Sequence, residues 1–307
     1  MRIIFYCLFI ALASALPMYA QVTMVGEGVI SSAYDDLNAA FMPDGKTVYF
    51  SLNHPRDRFG IIVYSQWKNG KWSEPQVPSF SGTFTDYDPF ITADGAKLYY
   101  CSTRSGNGIP KQDFDIFVVE KTGDGWSEPK NISTEVNDDR NQYYPSLSKN
   151  GNLYFNSNKD GSYDLFVSKL VNGQYQKPEK LLGKINGDKT NEGDAVIAPD
   201  ESYIIFAAYG RPDTNGSGDL YISYNENGIW SEPINLGLPI NSAVREYCPI
   251  LSPDGKTLYF TSFRSSLDKT PNKPIKTFRD FKNFMNQPEN GLGNVYQVSM
   301  ELVLNKK

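Results

Sequence analysis

The sequence predicts an all-β chain folded as a five-bladed β-propeller of four-stranded antiparallel blades. Three observations predict it. A phrase approximating Pro-Ser-Leu-Ser-Pro-Asp-Gly-Lys-Thr-Leu-Tyr-Phe-x-Ser returns about every fifty residues, anchored at Pro43-Asp44-Gly45, Ala93-Asp94-Gly95, Lys149-Asn150-Gly151, Pro199-Asp200-Glu201 and Pro253-Asp254-Gly255. A second phrase follows most copies, at Trp72-Ser73-Glu74-Pro75, Trp126-Ser127-Glu128-Pro129, the degraded Tyr175-Gln176-Lys177-Pro178, and Trp230-Ser231-Glu232-Pro233. Self-similarity at this period marks a propeller or a stacked array. The composition agrees: Tyr and Phe are plentiful, Gly and Pro punctuate the chain, and helix-forming runs are scarce.

The first twenty residues differ in kind. Arg2 precedes an apolar run from Ile3 to Leu16, and Pro17-Met18-Tyr19-Ala20 follows. This reads as a secretory signal over residues 1–20, cut after Ala20, with Ala15 as a second candidate because Met18 is poorly suited three positions before the cut. A membrane span needs about 20 apolar residues and this run is shorter. Cys7 has no small residue before it, which argues against a lipoprotein anchor. Residues 21–307 are then one exported propeller, periplasmic or secreted, without a membrane span, and a monomer. Of the cysteines it keeps, Cys101 and Cys248 fall at different points of the repeat and are expected as free, half-buried thiols.

Within repeat two, Asp88-Pro89-Phe90-Ile91-Thr92 is a short inner strand and Ala93-Asp94-Gly95-Ala96 a tight turn with Gly where positive φ is needed. Lys97 to Ser102 returns as the second strand, Asp115 to Glu120 forms the third, and Trp126 to Ile132 the outermost. Four such strands arranged radially make a blade. The blades run approximately over 34–80, 85–133, 141–186, 191–241 and 245–307, the last completed by residues 22–32. Blade five lacks the Trp-Ser-Glu-Pro phrase, and Gly28-Val29-Ile30-Ser31-Ser32 stands where its outer strand could come from, closing the ring and hiding an edge. An insertion from Ser265 to Gly293 breaks the symmetry of blade five. In it Ile275, Phe278, Phe281, Phe284 and Met285 recur at helical spacing between Pro274 and Pro288. A short amphipathic helix is expected near the mouth of the central channel, either covering a blade edge or acting as a gate.

These two phrases closely resemble the bacterial TolB-type, WD-repeat-like or Pro-Asp propeller repeats, over nearly the whole exported chain. The resemblance implies the propeller fold. It departs from TolB in lacking a separate N-terminal α/β domain and in having five blades where TolB has six, so a role in a Tol-like envelope complex transfers poorly.

Two columns of the repeat carry candidate chemistry. Seven residues before Pro43 and its equivalents stand Asp36, Asp86, Gln142, Glu192 and Glu246; five before stand Asn38, Asp88, Tyr144, Asp194 and Cys248. Spacing by two places both columns on one side of the innermost strand, so the carboxylates gather at one channel mouth. At the end of the second strand stand His54, Arg104, Lys159, Arg211 and Arg264, which can simply pair with the acids. The ligand-binding set is therefore Asp36, Asp86, Asp88, Tyr144, Glu192, Asp194, Glu246, Arg104 and Arg264, facing a glycan, a peptide or an envelope protein. The alternatives are a glycoside hydrolase or polysaccharide lyase using two carboxylates, against which the acids recur as repeat consensus, and a structural component of a Tol-like envelope complex. His54 reads as a surface or ion-pairing residue rather than a base. No nucleophile elbow, His-Glu-x-x-His zinc motif or phosphate loop is present.

No cofactor is expected. The string Asp213-Thr214-Asn215-Gly216-Ser217-Gly218-Asp219 alternates oxygen ligands as a calcium loop does, but its twelfth position is Tyr224, so an ordinary polar loop is the preferred reading. The net charge of −5 without a basic cluster excludes a nucleic-acid footprint. The Trp72, Trp126 and Trp230 column is expected to pack between blades.

Overall fold

The computed structural model describes residues 22–54, 59–105, 108–267, 271 and 274–306; the expected signal segment lies outside them. Five antiparallel sheets stand round one axis. Their innermost strands are Asp35–Phe41, Asp86–Ile91, Gln142–Leu147, Asn191–Ile197 and Glu246–Leu251. Each pairs outward with a second strand and that with a third, ending in a short fourth strand. In blade two the order runs Asp86–Ile91, Lys97–Ser102, Asp115–Thr122, Lys130–Asn131. The expected outermost strand is divided here. Gly125–Trp126 forms a hairpin tip on the third strand, and pairing resumes after Pro129, which has no N–H to give.

The ring closes as expected, by an N-terminal strand on blade five, but with different residues. Thr23 and Met24 pair with Gln297 and Tyr296, and Val25 N–H bonds Val295 O at 2.9 Å. Gly28–Ser32 does not supply the strand: Ile30 N–H closes back on Gly26 O at 2.8 Å, in a turn that puts Ser31 under the sheet. There the Ser31 hydroxyl takes Val295 N–H and bonds Val295 O, both at 3.0 Å.

That last contact is itself a repeat. Asn137, Asn186 and Asn241 each accept from the N–H of a third-strand residue (Ile116, Leu165, Leu220) and donate to the carbonyl of the same residue, all within 2.8–3.1 Å. Ser81 accepts from Ile62 N–H at 3.0 Å. One polar side chain per blade thus pins the connecting loop to the sheet and satisfies backbone groups that burial would otherwise orphan.

Apolar side chains fill the space between neighbouring sheets; Tyr100, Tyr221, Phe50, Phe155, Phe206 and Phe260 are fully buried. Two members of the Trp column pack at these seams as expected, while the half-buried Trp72 meets Phe41 and Trp67 of its own blade. Trp126 lies edge-on to Tyr49 of the preceding blade and donates to its hydroxyl at 2.9 Å, and the Trp230 ring lies edge-on to Tyr154 of the preceding blade. Cys101 and Cys248 are free thiols, fully rather than half buried.

The insertion forms α1 (Phe278–Met285), and a second short helix, α2 (Met300–Leu304), follows the last strand. None of the α1 side chains is fully buried; Phe284 is half-buried and the others are exposed. No described helix is long and apolar enough to cross a membrane.

Candidate functional site

Each innermost strand carries the same irregularity: its register against the second strand slips between Leu37 and Ala40, Tyr87 and Phe90, Tyr143 and Ser146, Gly193 and Val196, and Tyr247 and Ile250. At every slip one non-glycine residue sits in the left-handed region: Asn38 (φ 46°), Asp88 (58°), Tyr144 (56°), Asp194 (46°) and Cys248 (51°). Five unfavourable backbone positions at one level of the axis are held there by the ring itself. The N–H of Asn38 bonds Thr261 Oγ1, that of Asp88 bonds Ser51 Oγ, and that of Asp194 bonds Asn156 Oδ1, each on the preceding blade. The Asp88 carboxylate takes the N–H of Tyr144, and the Asp194 carboxylate that of Cys248, each on the following blade.

The bulges re-aim side chains. Residues seven before the turn are withdrawn into the connecting loops, completely buried. Asp36 accepts from Ser32 N–H and hydroxyl at 2.6 and 2.9 Å, and Asp86 from the Ser81 and Ser102 hydroxyls at 2.8 and 2.6 Å. Gln142 donates to Asp138. Glu192 accepts from Thr190 and Arg211 at 2.6 and 2.9 Å, and Glu246 from Ser242 and Ser262 at 2.6 and 2.7 Å. Burial raises the carboxyl pKa of Asp86, Glu192 and Glu246, and takes Asp36 up to about 8.

The basic column serves the same loops. Arg104 donates to Phe80 O at 2.8 Å, Arg211 to Ile185 O at 2.6 Å, and Arg264 to Ile240 O at 2.6 Å and Pro239 O at 2.9 Å. Arg211 also pairs closely with Glu192, while Arg264 stands 3.8 Å from Glu246. Lys159 lies over the Phe166 ring, and His54 holds the first-blade position.

What faces the axis is the pair of positions six and five before the turn. Together with the strand ends they line an open cavity of about 840 Å³, to which all five blades contribute. Its aromatic walls are Tyr87, Tyr143, Tyr163, Tyr209, Tyr247 and Phe263; its polar groups include Asp35, Asn53, Asp88, Asn156, Asp194 and Arg245. Tyr87 stacks on Phe114, Phe114 packs on Tyr143 and Tyr143 on Tyr163, an arc with centroids 4.8–6.1 Å apart. Opposite, Tyr247 and Phe263 lie nearly parallel, 5.6 Å apart. Arg245 sits 4.0 Å over Tyr247 and 5.1 Å over Tyr209, whose hydroxyl it bonds through two nitrogens at 3.1 and 2.8 Å.

Of the expected site residues, the cavity wall thus includes Asp88 and Asp194, and Glu192, held in its loop, borders it as well. Tyr144 crosses the axis at the floor, its hydroxyl donating to Pro249 O at 2.9 Å and near Asn38 Oδ1 at 3.2 Å. Beyond it lies a second, mainly apolar cavity of about 550 Å³, formed by the far ends of the inner strands. Asp88 and Asp194 titrate together, both raised: Asp88 by burial first and then by the charge of Asp194, Asp194 by burial against the opposing pull of Arg245.

Sequence reasoning missed the tyrosines and Arg245. The signal was present, since the column six before the turn reads Leu37, Tyr87, Tyr143, Gly193, Tyr247. Strict alternation assigned it to the far face, and the bulge reverses that. The Asp213–Asp219 string is a hydrogen-bonded loop: Asp219 accepts from Asn215 N–H, Gly216 N–H and Asn235 Nδ2, and Asp213 from Tyr221 Oη. Among the described residues no group of three or more His, Cys, Asp or Glu is placed to hold a metal ion.

No protein-family model matches the chain, nor does any curated protein. Solved structures do match. One described as a glycoside hydrolase superposes with a TM-score of 0.57 at 10% identity, over 91% of this chain and 92% of that one. A putative TolB from Agrobacterium tumefaciens gives 0.50 at 15% identity, over 87% and 90%. TolB from Acinetobacter baumannii gives 0.47 at 14% identity; 87% of this chain is covered, and it spans 55% of that protein's length. At such identities the likeness is one of fold: a TolB-like β-propeller.

Proposed function

We propose that the protein is an exported binding module of the bacterial envelope that takes a glycan at the polar mouth of its central cavity. One observation carries the reading. Six aromatic rings and a set of carboxylate, amide and guanidinium groups converge on one open cavity of about 840 Å³. Aromatic faces suit the apolar C–H faces of a sugar ring, while fixed acids and amides suit its hydroxyls. The volume falls within the range of ligand pockets. A glycan array probed with the purified protein tests it: specific, saturable binding that is lost in Tyr87→Ala and Tyr143→Ala supports the reading. Binding to no glycan, or binding indifferent to both substitutions, overturns it.

A second reading, hydrolysis of the bound glycan, is favoured by two carboxyls, Asp88 and Asp194, on the wall of the same cavity. Burial raises both carboxyls, and Asp88 is raised further by the charge of Asp194 while Arg245 opposes the rise at Asp194, so their surroundings differ as those of an acid and a base would. Release of reducing ends from an oligosaccharide at saturating protein separates catalysis from binding alone: a bound oligosaccharide recovered intact overturns this second reading.

A further inference from the structure

We propose that α1 docks the propeller on an anionic lipid bilayer, with the polar mouth turned toward the membrane. The helix is built by its own sequence. Thr277 Oγ1 accepts from Asp280 N–H at 3.1 Å, and the Asp280 carboxylate accepts from Thr277 N–H at 2.9 Å, a reciprocal cap that needs no tertiary support. Its side chains are exposed apart from the half-buried Phe284: Phe278 is 72% exposed, Phe281 44% and Met285 41%. These three lie one turn or two apart and share a face, with Phe278 and Phe281 stacked 6.3 Å apart.

The charge around that face is one-sided. Lys276, Arg279 and Lys282 stand against Asp280 alone over residues 274–286, in a chain whose net charge is −5, and the Asp280 carboxylate is occupied by the cap. Lys282 lies over the Phe278 ring at 5.4 Å. Aromatic residues on one face of a short helix flanked by basic ones are the chemistry of an interfacial helix, whose rings enter the headgroup boundary while its cations meet anionic lipid.

The helix is rooted at the mouth. The insertion leaves blade five after Ser262 and returns at Asn294, which pair with each other, and Ser262 also pairs with Glu246 at the mouth end of the innermost strand. Phe263, the first residue after that strand, lines the cavity. Both limbs are fastened: Ser266 N–H bonds Glu289 O at 2.7 Å, and Asn290 Nδ2 bonds Ala33 O at 3.0 Å. A bilayer held by α1 therefore meets the propeller on its open side.

The test is co-sedimentation of the full exported chain with vesicles of phosphatidylcholine alone or of phosphatidylcholine and phosphatidylglycerol at three to one. Binding to the anionic vesicles is expected to exceed that to the neutral ones at least about tenfold and to fall in high salt. Two variants, Phe278→Ser with Phe281→Ser, and Lys276→Gln with Arg279→Gln and Lys282→Gln, are each expected to lose about tenfold while melting like the parent, since every altered side chain is exposed. Equal binding to both vesicle types, no binding, or undiminished binding by either variant overturns the proposal. So does Phe278-dependent self-association without lipid, seen by ultracentrifugation, which makes a second copy the occupant. Glycan binding is a separate readout, unchanged in both variants.

Discussion

Replacing Asp88 by Asn should make the protein more stable and stop it binding. Asp88 is buried at the cavity floor, its carboxyl taken from an ordinary 3.8 to about 7 by burial and by the facing charge of Asp194. A raised folded-state pKa means that the folded protein holds a proton the unfolded chain has released, so stability falls as pH rises from about 4 to about 7 and stays low above. Each tenfold in proton affinity is about 1.4 kcal/mol, which sets an upper bound of about 4 kcal/mol at pH 8. Asn removes the titrating group. It keeps an oxygen for Tyr144 N–H, loses the contact with Cys101 Sγ at 3.3 Å, and tolerates a φ of 58°, as Asn38 does at the equivalent position of blade one. A net gain of about 2–3 kcal/mol follows, a rise of about 4–8 °C in melting temperature for a chain of this size. Calorimetry of parent and variant at pH 4 and pH 8 checks it: the gain should be present at pH 8 and absent at pH 4. A variant that melts lower than the parent at pH 8 refutes the reasoning, because the carboxylate would then be stabilised by its surroundings. A gain in stability joined to a loss of glycan binding marks a residue kept for its ligand.

The loop acids should behave in the opposite way. Asp86→Ala strands the hydroxyls of Ser81 and Ser102 and opens a hole behind the second inner strand, so a loss of about 2–4 kcal/mol is expected in urea unfolding; an unchanged midpoint would count against its structural role. Deleting residues 22–25 uncovers the edge of the Asn294–Ser299 strand, and light scattering should show aggregation together with a lower melting temperature. A deletion that stays monomeric and equally stable sinks the closure. Tyr143→Ala, at a half-buried ring of the aromatic arc, should weaken glycan affinity at least about tenfold with little change in melting, read by calorimetric titration. Exported material should begin at Gln21; N-terminal sequencing that returns Met1 rejects the signal reading.

The ring, its five blades and the helical insertion were legible because they rest on repetition and periodicity, which survive in one dimension. Closure by the N-terminal segment was legible too, but not its residues. Gly28 to Ser32 matched the fourth-strand phrase by position, whereas Gly26, at a φ of 56°, turns the chain before them and leaves Thr23–Met24 as the edge. The side-chain directions at the mouth were not legible. A bulge adds one residue to one strand without any change in hydrophobicity, so Asp86 and Asp88 look alike in the sequence although one is locked in a loop and the other faces the axis.

The five bulges also explain why binding chemistry could accumulate at this level. A left-handed residue at each inner strand needs its N–H held by the neighbouring blade, as Ser51 holds Asp88 and Asn156 holds Asp194, so the conformation is over-determined by the ring and not by the residue that adopts it. The side chain there is free to vary, and it has become Asn, Asp, Tyr, Asp and Cys in turn. The repeat thereby supplies an identical backbone five times and leaves the floor asymmetric: Tyr144 crosses the axis, Asp88 and Asp194 repel across it, and Arg245 stands beside one of them alone. Asymmetry of that kind is what a propeller needs to bind one ligand in one orientation.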